Sequence, residues 1–122
     1  MEEESIFKLR ESGYTAKQLS CSIIQAGQML AMMNAELVRV LKLQCTDIGC
    51  LAEAKTLLEP NTKVWNRALR FIHLYNLMYD MFSGDAVAIR HWLRSENNKL
   101  QGVPLLIIID EHRIEDVIRY FS

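Results

Sequence analysis

The sequence predicts an all-α protein, on three observations. Only two prolines and five glycines occur in 122 residues, and no hairpin dipeptide such as Asn-Gly, while Leu, Ala, Met, Glu and Arg are plentiful. Apolar residues recur at spacings of three and four in several segments. The longest such segment, residues 64–82, runs without a breaker from Pro60-Asn61 to Ser83-Gly84-Asp85.

Composition bounds the rest. Half the residues are hydrophobic and 24% charged, which is too apolar for disorder and enough for one core shared by two subdomains. Glu59-Pro60-Asn61 is the expected boundary, between an N-terminal region (1–59) and a C-terminal one (60–122). The formal net charge is −1; residues 1–62 carry eight acids and six bases, and residues 63–122 carry seven and eight. A nucleic-acid footprint must therefore come from local placement or dimerisation rather than from bulk charge. Met1-Glu2-Glu3-Glu4 has neither the basic start nor the apolar run of a signal peptide, so the expected location is the cytoplasm. Cys21, Cys45 and Cys50 are odd in number and lack a C-x-x-C pair, which fits reduced thiols.

In chain order, Ile6 and Leu9 suggest a short helix over residues 5–11, stopped by Ser12-Gly13. Thr15-Ala16-Lys17-Gln18 has the form of a capping box and opens a helix over 16–32, carried by Leu19, Ile23, Ile24, Met29 and Leu30. Asn34 suits the N-cap of a short helix over 35–41; Lys42-Leu43-Gln44 would turn, and a second short helix would cover 45–52. Helices this short need a neighbour to be stable. The offsets of Leu37, Val38, Leu41, Leu43, Ile48 and Leu51 fit both a DNA-reading helix-turn-helix over about 34–52 and a plain helical hairpin in the core.

The long helix over 64–82 has an apolar face of Trp65, Ala68, Leu69, Phe71, Ile72, Tyr75, Met78, Tyr79 and Phe82, opposite Asn66, Arg70, His73, Asn76 and Asp80. Its charges exclude a membrane span. Gly84 suits a left-handed C′ position and Asp85 an N-cap, so a helix over 86–94 follows, burying Val87, Ile89, Trp92 and Leu93. Residues 95–102 read as polar and irregular. Residues 105–109 fit either a buried strand or a helix begun by Pro104; a lone strand would have no partner, so helix is expected. Asp110 should cap a last helix over 111–121, lined by Ile114, Val117, Ile118 and Phe121.

From about Leu30 onward the chain resembles the Xre/MbcA/ParS-type antitoxins. The resemblance rests on Ala68-Leu69-Arg70 with Leu74-Tyr75, Phe82-Ser83-Gly84-Asp85, and Ala88-Ile89-Arg90-His91-Trp92-Leu93-Arg94. Asn97, Leu100-Gln101-Gly102, Pro104-Leu105 and Val117-Ile118-Arg119-Tyr120 extend it. In the first half, Ala35-Glu36-Leu37-Val38-Arg39-Val40-Leu41-Lys42-Leu43 resembles the opening of an Xre-type helix-turn-helix, with Lys42 where those motifs carry a turn glycine. The resemblance implies a cytoplasmic bacterial antitoxin that is a homodimer, neutralises a RES-domain toxin consuming NAD⁺, and autoregulates its operon by binding operator DNA. The alternative is a stand-alone Xre-type transcription regulator, and a third reading is a helical interaction module without either partner.

Residues assigned to DNA are Gln44, Cys45, Thr46, Asp47, Cys50 and Lys55; residues 44–50 contain no Arg or Lys, so the usual bidentate contact to guanine lacks its donor there. Residues assigned to the toxin are Arg90, Arg94, Asn97, Asn98 and Lys99, at a helix end and loop, with Arg119 and Tyr120 near the chain end. Each also fits a solvated surface. Met29, Met32 and Met33 fit core or a dimer surface, and Trp92 fits core better than interface. His73, His91 and His112 form no ligand motif, and the acids at 110–111 and 115–116 suit helix N-termini, so neither enzyme activity, metal nor cofactor is expected.

Overall fold

A computed structural model describes residues 6–42 and 61–121 of the chain, and among these the protein is all-α. We label the helices α1 (Ala16–Met29), α2 (Asn34–Leu41), α3 (Lys63–Met81), α4 (Ala86–Arg94), α5 (Pro104–Ile109) and α6 (Ile114–Tyr120). The second short helix expected over 45–52 lies outside the described residues.

The long helix α3 is the centre of the packing. Helices α1, α2, α4 and α6 all contact it, and α5 closes the far side against α2, α4 and α6. Phe71, Ile72, Leu74, Tyr75 and Met78 are fully buried, and a single apolar cluster runs from Leu19 and Ile23 of α1 through Leu37 and Leu41 of α2 to Val117 of α6. Burial of this kind contributes about 1.5–3 kcal/mol per large side chain, which is what makes helices of six to nine residues stable here. None of the described helices is long and apolar enough to cross a membrane.

Local chemistry sets the helix ends. Thr15 and Gln18 form the expected capping box: Thr15 Oγ1 accepts from the Gln18 amide at 3.2 Å, and Gln18 Oε1 accepts from the Thr15 amide at 3.0 Å. Helix α1 stops at Met29 rather than continuing to residue 32, because Ala31 turns left-handed with φ +57°. The Met32 amide then donates to Gly27 O at 2.8 Å and the Ala31 amide to Gln28 O at 3.0 Å, the bond pair of a Schellman motif. Helix α2 begins one residue earlier than expected. Met33 stands at the N-cap and Glu36 Oε1 takes its amide at 2.8 Å, so Asn34 is the first helical residue. Gly27 lets α1 and α2 approach closely, since a Cβ there would lie 2.6 Å from Leu37 Cδ1.

Helix α3 matches its expected span within one residue at each end, with Thr62 Oγ1 accepting the Trp65 amide at 3.1 Å. Ser83 (φ +53°), not Gly84, takes the C′ place, and Gly84 follows it at φ +78° while its amide donates to Tyr79 O at 2.9 Å. Asp85 caps α4 as expected, accepting from the Ala88 amide at 3.1 Å. Val87 is 75% exposed, contrary to expectation: it lies two positions from the buried Ile89, about 200° around the helix. Pro104 begins α5 at its first turn, which settles the strand-or-helix ambiguity of residues 105–109.

One expected element is absent and another starts late. Residues 6–11 form no helix, because α3 side chains take backbone groups a helix would have used. Tyr75 donates its hydroxyl to Phe7 O at 2.6 Å, and the Asn76 amide exchanges two bonds with Leu9, accepting from its N–H at 2.9 Å and donating to its carbonyl at 2.6 Å. The last helix does not begin at 111. Asp110 is the C-cap of α5 and its carboxylate is ion-paired with Arg39 of α2, so it is not free to cap anything after it. His112 turns left-handed at φ +54°, the Arg113 amide donates to Ile107 O at 3.1 Å, and α6 starts only at Ile114.

Candidate partner-binding surface

The six residues assigned to DNA, Gln44, Cys45, Thr46, Asp47, Cys50 and Lys55, lie outside the described residues. The residues assigned to a protein partner are all described, and they divide into two groups.

Arg90 and Arg94 face α1. Arg90 Nε donates to Met29 O at 2.9 Å, while Arg94 donates to Leu30 O at 3.0 Å and Ala31 O at 2.9 Å. Two guanidiniums thus sit on the carbonyl end of α1, where the helix dipole favours positive charge. Each is two positions from Trp92, so they project on the side of α4 roughly opposite to it.

The second group forms one surface from two separate stretches. The loop after α4 is closed rather than irregular: Asn97 and Gly102 pair as an antiparallel bridge, with the Asn97 amide donating to Gly102 O at 2.8 Å. Asn97 Oδ1 also accepts from the amides of Lys99 (2.9 Å) and Leu100 (3.1 Å), so this side chain is used inside the loop. Asn98 and Lys99 are exposed at the tip, and Leu100 anchors it in the core. Lys99 Nζ lies 5.9 Å from the centre of the Tyr120 ring, which joins the loop to the end of α6.

Beneath these residues lies an aromatic ledge. Trp92 stands 5.4 Å from Tyr120, 5.0 Å from Phe121 and 6.3 Å from Phe82, all tilted, and Tyr120 meets Phe121 edge-on at 5.2 Å. All four rings are half-buried, so they pack on the core and still present an edge to solvent. Trp92 is therefore both support and surface. Arg119 is exposed and donates to Asp116 Oδ1 at 2.8 Å, and Asp116 also accepts from Arg113 at 2.6 Å. The Arg113 hydrogen bond is the main reason the Asp116 carboxyl is held below its usual range.

Sequence spacing had placed the loop and the chain end as separate candidates. Lys99 and Tyr120 are far apart in the chain, and only the return of α5 and α6 brings them together. Phe82 and Phe121 belong to the ledge and were not expected there, because a half-buried ring at helical spacing has the same sequence signature as a core ring. The methionines also divide: Met29 is buried, whereas Met33 is 66% exposed. No family model and no curated protein matches this chain.

Proposed function

We propose that this chain is an antitoxin-like binding protein of the Xre/MbcA/ParS type, which neutralises a RES-domain toxin that consumes NAD⁺. The observation that carries the reading is the junction of Lys99 with Tyr120 on the Trp92-Phe121 ledge. Core-anchored aromatic rings with cations at their edge suit a protein interface, the rings at its centre and the charges at its rim. The stretches that form it are those that resemble the antitoxin family: Trp92-Leu93, Asn97, Gly102 and Arg119-Tyr120. The protein acts by binding, without a cofactor, in the bacterial cytoplasm and as a homodimer.

The test is co-expression with the product of the adjacent reading frame. Complex formation, restored growth and preserved cellular NAD⁺ are expected. A toxin that still arrests growth and does not co-purify with this chain overturns the reading.

Autoregulation through operator DNA is supported by one further observation. Lys42, at the place of the motif's turn glycine, ends α2 in the left-handed conformation (φ +57°, ψ +41°) that glycine favours. The same feature supports the stand-alone regulator. A mobility shift at two salt concentrations separates specific from non-specific binding: preference for the chain's own promoter persists as affinity falls with salt. No preference at low salt removes the DNA function and leaves the toxin reading intact.

A further inference from the structure

Helices α2, α3 and α5 and the start of α6 half-enclose a small pocket of about 80 Å³. Its inner wall is apolar, made by the buried Val40 and Ile108 with Ile114 beside them. Its other lining residues are nitrogen donors: the exposed Lys42 and His112 and the half-buried Arg67. These come from three distant parts of the chain, and only the fold brings them together.

The two exposed donors sit on unusual backbone. Lys42 (φ +57°) and His112 (φ +54°) are left-handed without being glycine, each in the turn that follows a helix, α2 for Lys42 and α5 for His112. Glycine would adopt either turn without strain; the chain instead carries a donor side chain at both.

The acids that flank the pocket in sequence are engaged elsewhere. Asp110 pairs with Arg39, Glu111 with Arg113 and Glu115 with Arg70. Among the described residues the side chains of Lys42 and His112 have no hydrogen-bond or ion-pair partner. Arg67 gives one Nη1 bond of 3.2 Å to Leu41 O, which leaves the rest of its guanidinium fork available. The pocket therefore gathers donors without an acid to receive them.

We propose that this pocket binds a single phosphoryl group, as inorganic phosphate or as the terminal phosphate of a monoester. Donors converging from three directions match the three terminal oxygens of such a group, all strong acceptors. Size sets the class of ligand. The volume is well below the roughly 300 Å³ at which pockets take a whole small organic molecule, so whatever the phosphate is attached to stays outside. A phosphodiester within a nucleic-acid strand fits less well, because it carries two chain substituents and only one negative charge. The proposal rests on neither the antitoxin nor the DNA reading.

Titration of the ¹⁵N-labelled full-length chain with inorganic phosphate decides it, against sodium chloride of equal ionic strength. Saturable NMR shifts are expected at the amides of residues 40–42, 67 and 108–114, and none on α4. Lys42→Gly and His112→Asn remove the two exposed donors while installing residues that tolerate a left-handed backbone. Together they should weaken phosphate binding by at least about tenfold, with the amides of α1 unmoved. Methyl phosphate that displaces inorganic phosphate identifies an esterified ligand, and methyl phosphate that does not identifies the free ion. Shifts that chloride reproduces, dimethyl phosphate binding as tightly as inorganic phosphate, or a folded double variant that binds undiminished would each overturn the proposal.

Discussion

Arg94 donates to the carbonyl of Ala31 at 2.9 Å, placing a guanidinium on a residue that turns left-handed without being glycine. The two features belong together. A left-handed alanine costs about 1–2 kcal/mol, and the charged hydrogen bonds to Leu30 O and Ala31 O offset it while tying α4 to the end of α1. Arg94→Ala should therefore lower stability by about 1–2 kcal/mol, and Ala31→Gly should raise it by about 0.5 kcal/mol, since relieved strain outweighs the added freedom of the unfolded chain. Urea denaturation of both variants and their combination checks this. An unchanged midpoint for Arg94→Ala would show that the cap contributes nothing.

Gly27 is a helix residue kept small by packing. A Cβ would meet the Leu37 side chain at 2.6 Å, and Leu37 is itself buried. The gain in helix propensity on Gly27→Ala, about 1 kcal/mol, competes with overpacking of about 1–3 kcal/mol. We expect net destabilisation, and we expect Leu37→Ala to cost less in the Gly27→Ala background than alone. Thermal melts of the four-member cycle measure the difference.

The arm formed by residues 6–11 tests how far a sequence can be read. Ile6 and Leu9 have helical spacing, and both do pack against the core. What their spacing cannot reveal is that Asn76, on the polar stripe of a helix far along the chain, captures Leu9's backbone. Residues whose structure is local were legible: Asp85 and the span of α4 were read to the residue, since cap and helix are adjacent in sequence. Asp110 failed for the same reason as the arm. Its composition suits an N-cap, but its carboxylate is engaged by Arg39 from another helix. The partner surface was legible residue by residue and not as a junction, since Lys99 meets Tyr120 only through tertiary folding. Tyr75→Phe probes the arm directly. It should leave the fold intact, cost about 1 kcal/mol and accelerate exchange of the amides of residues 7–11.

Acid should loosen α6 before the core. Arg70 holds Glu115 through two bonds of 2.7 Å, and this hydrogen bonding keeps the Glu115 carboxyl below its ordinary value of 4.5. Glu11 is also lowered: burial raises it, but hydrogen bonds from His73 and Asn76 outweigh that effect. A carboxyl with a lowered native pKa contributes its full stability above the ordinary value and loses it as the pH falls through the native one. The loss thus begins below about pH 4.5. Both pairs are exposed enough to be screened, so each is worth about 0.2–1 kcal/mol. Glu115→Gln should therefore cost about 0.2–1 kcal/mol at pH 7, cost little once the pH is low enough to protonate the native carboxyl, and so flatten the profile between. An equal loss at both pH values would point to packing instead of charge.

The last prediction concerns how the partner surface is engaged. Removing residues 120–122 is a poor probe, because Tyr120 and Phe121 both stack on Trp92, and loss of such rings costs about 3–5 kcal/mol. Charge reversal at the exposed positions leaves the ledge in place. Lys99→Glu loses the cation over Tyr120, and Arg119→Glu adds an acid beside Asp116. If an acidic surface of the toxin faces this patch, each reversal should weaken the complex by about tenfold or more, and the pair together further, chiefly through faster dissociation. Trp92 emission in a Trp65→Phe background reports whether the ledge is intact. Variants with native emission that still inhibit fully would move the inhibitory contact away from Lys99 and Arg119; Asn98 at the tip of the same loop would then be the next residue to replace.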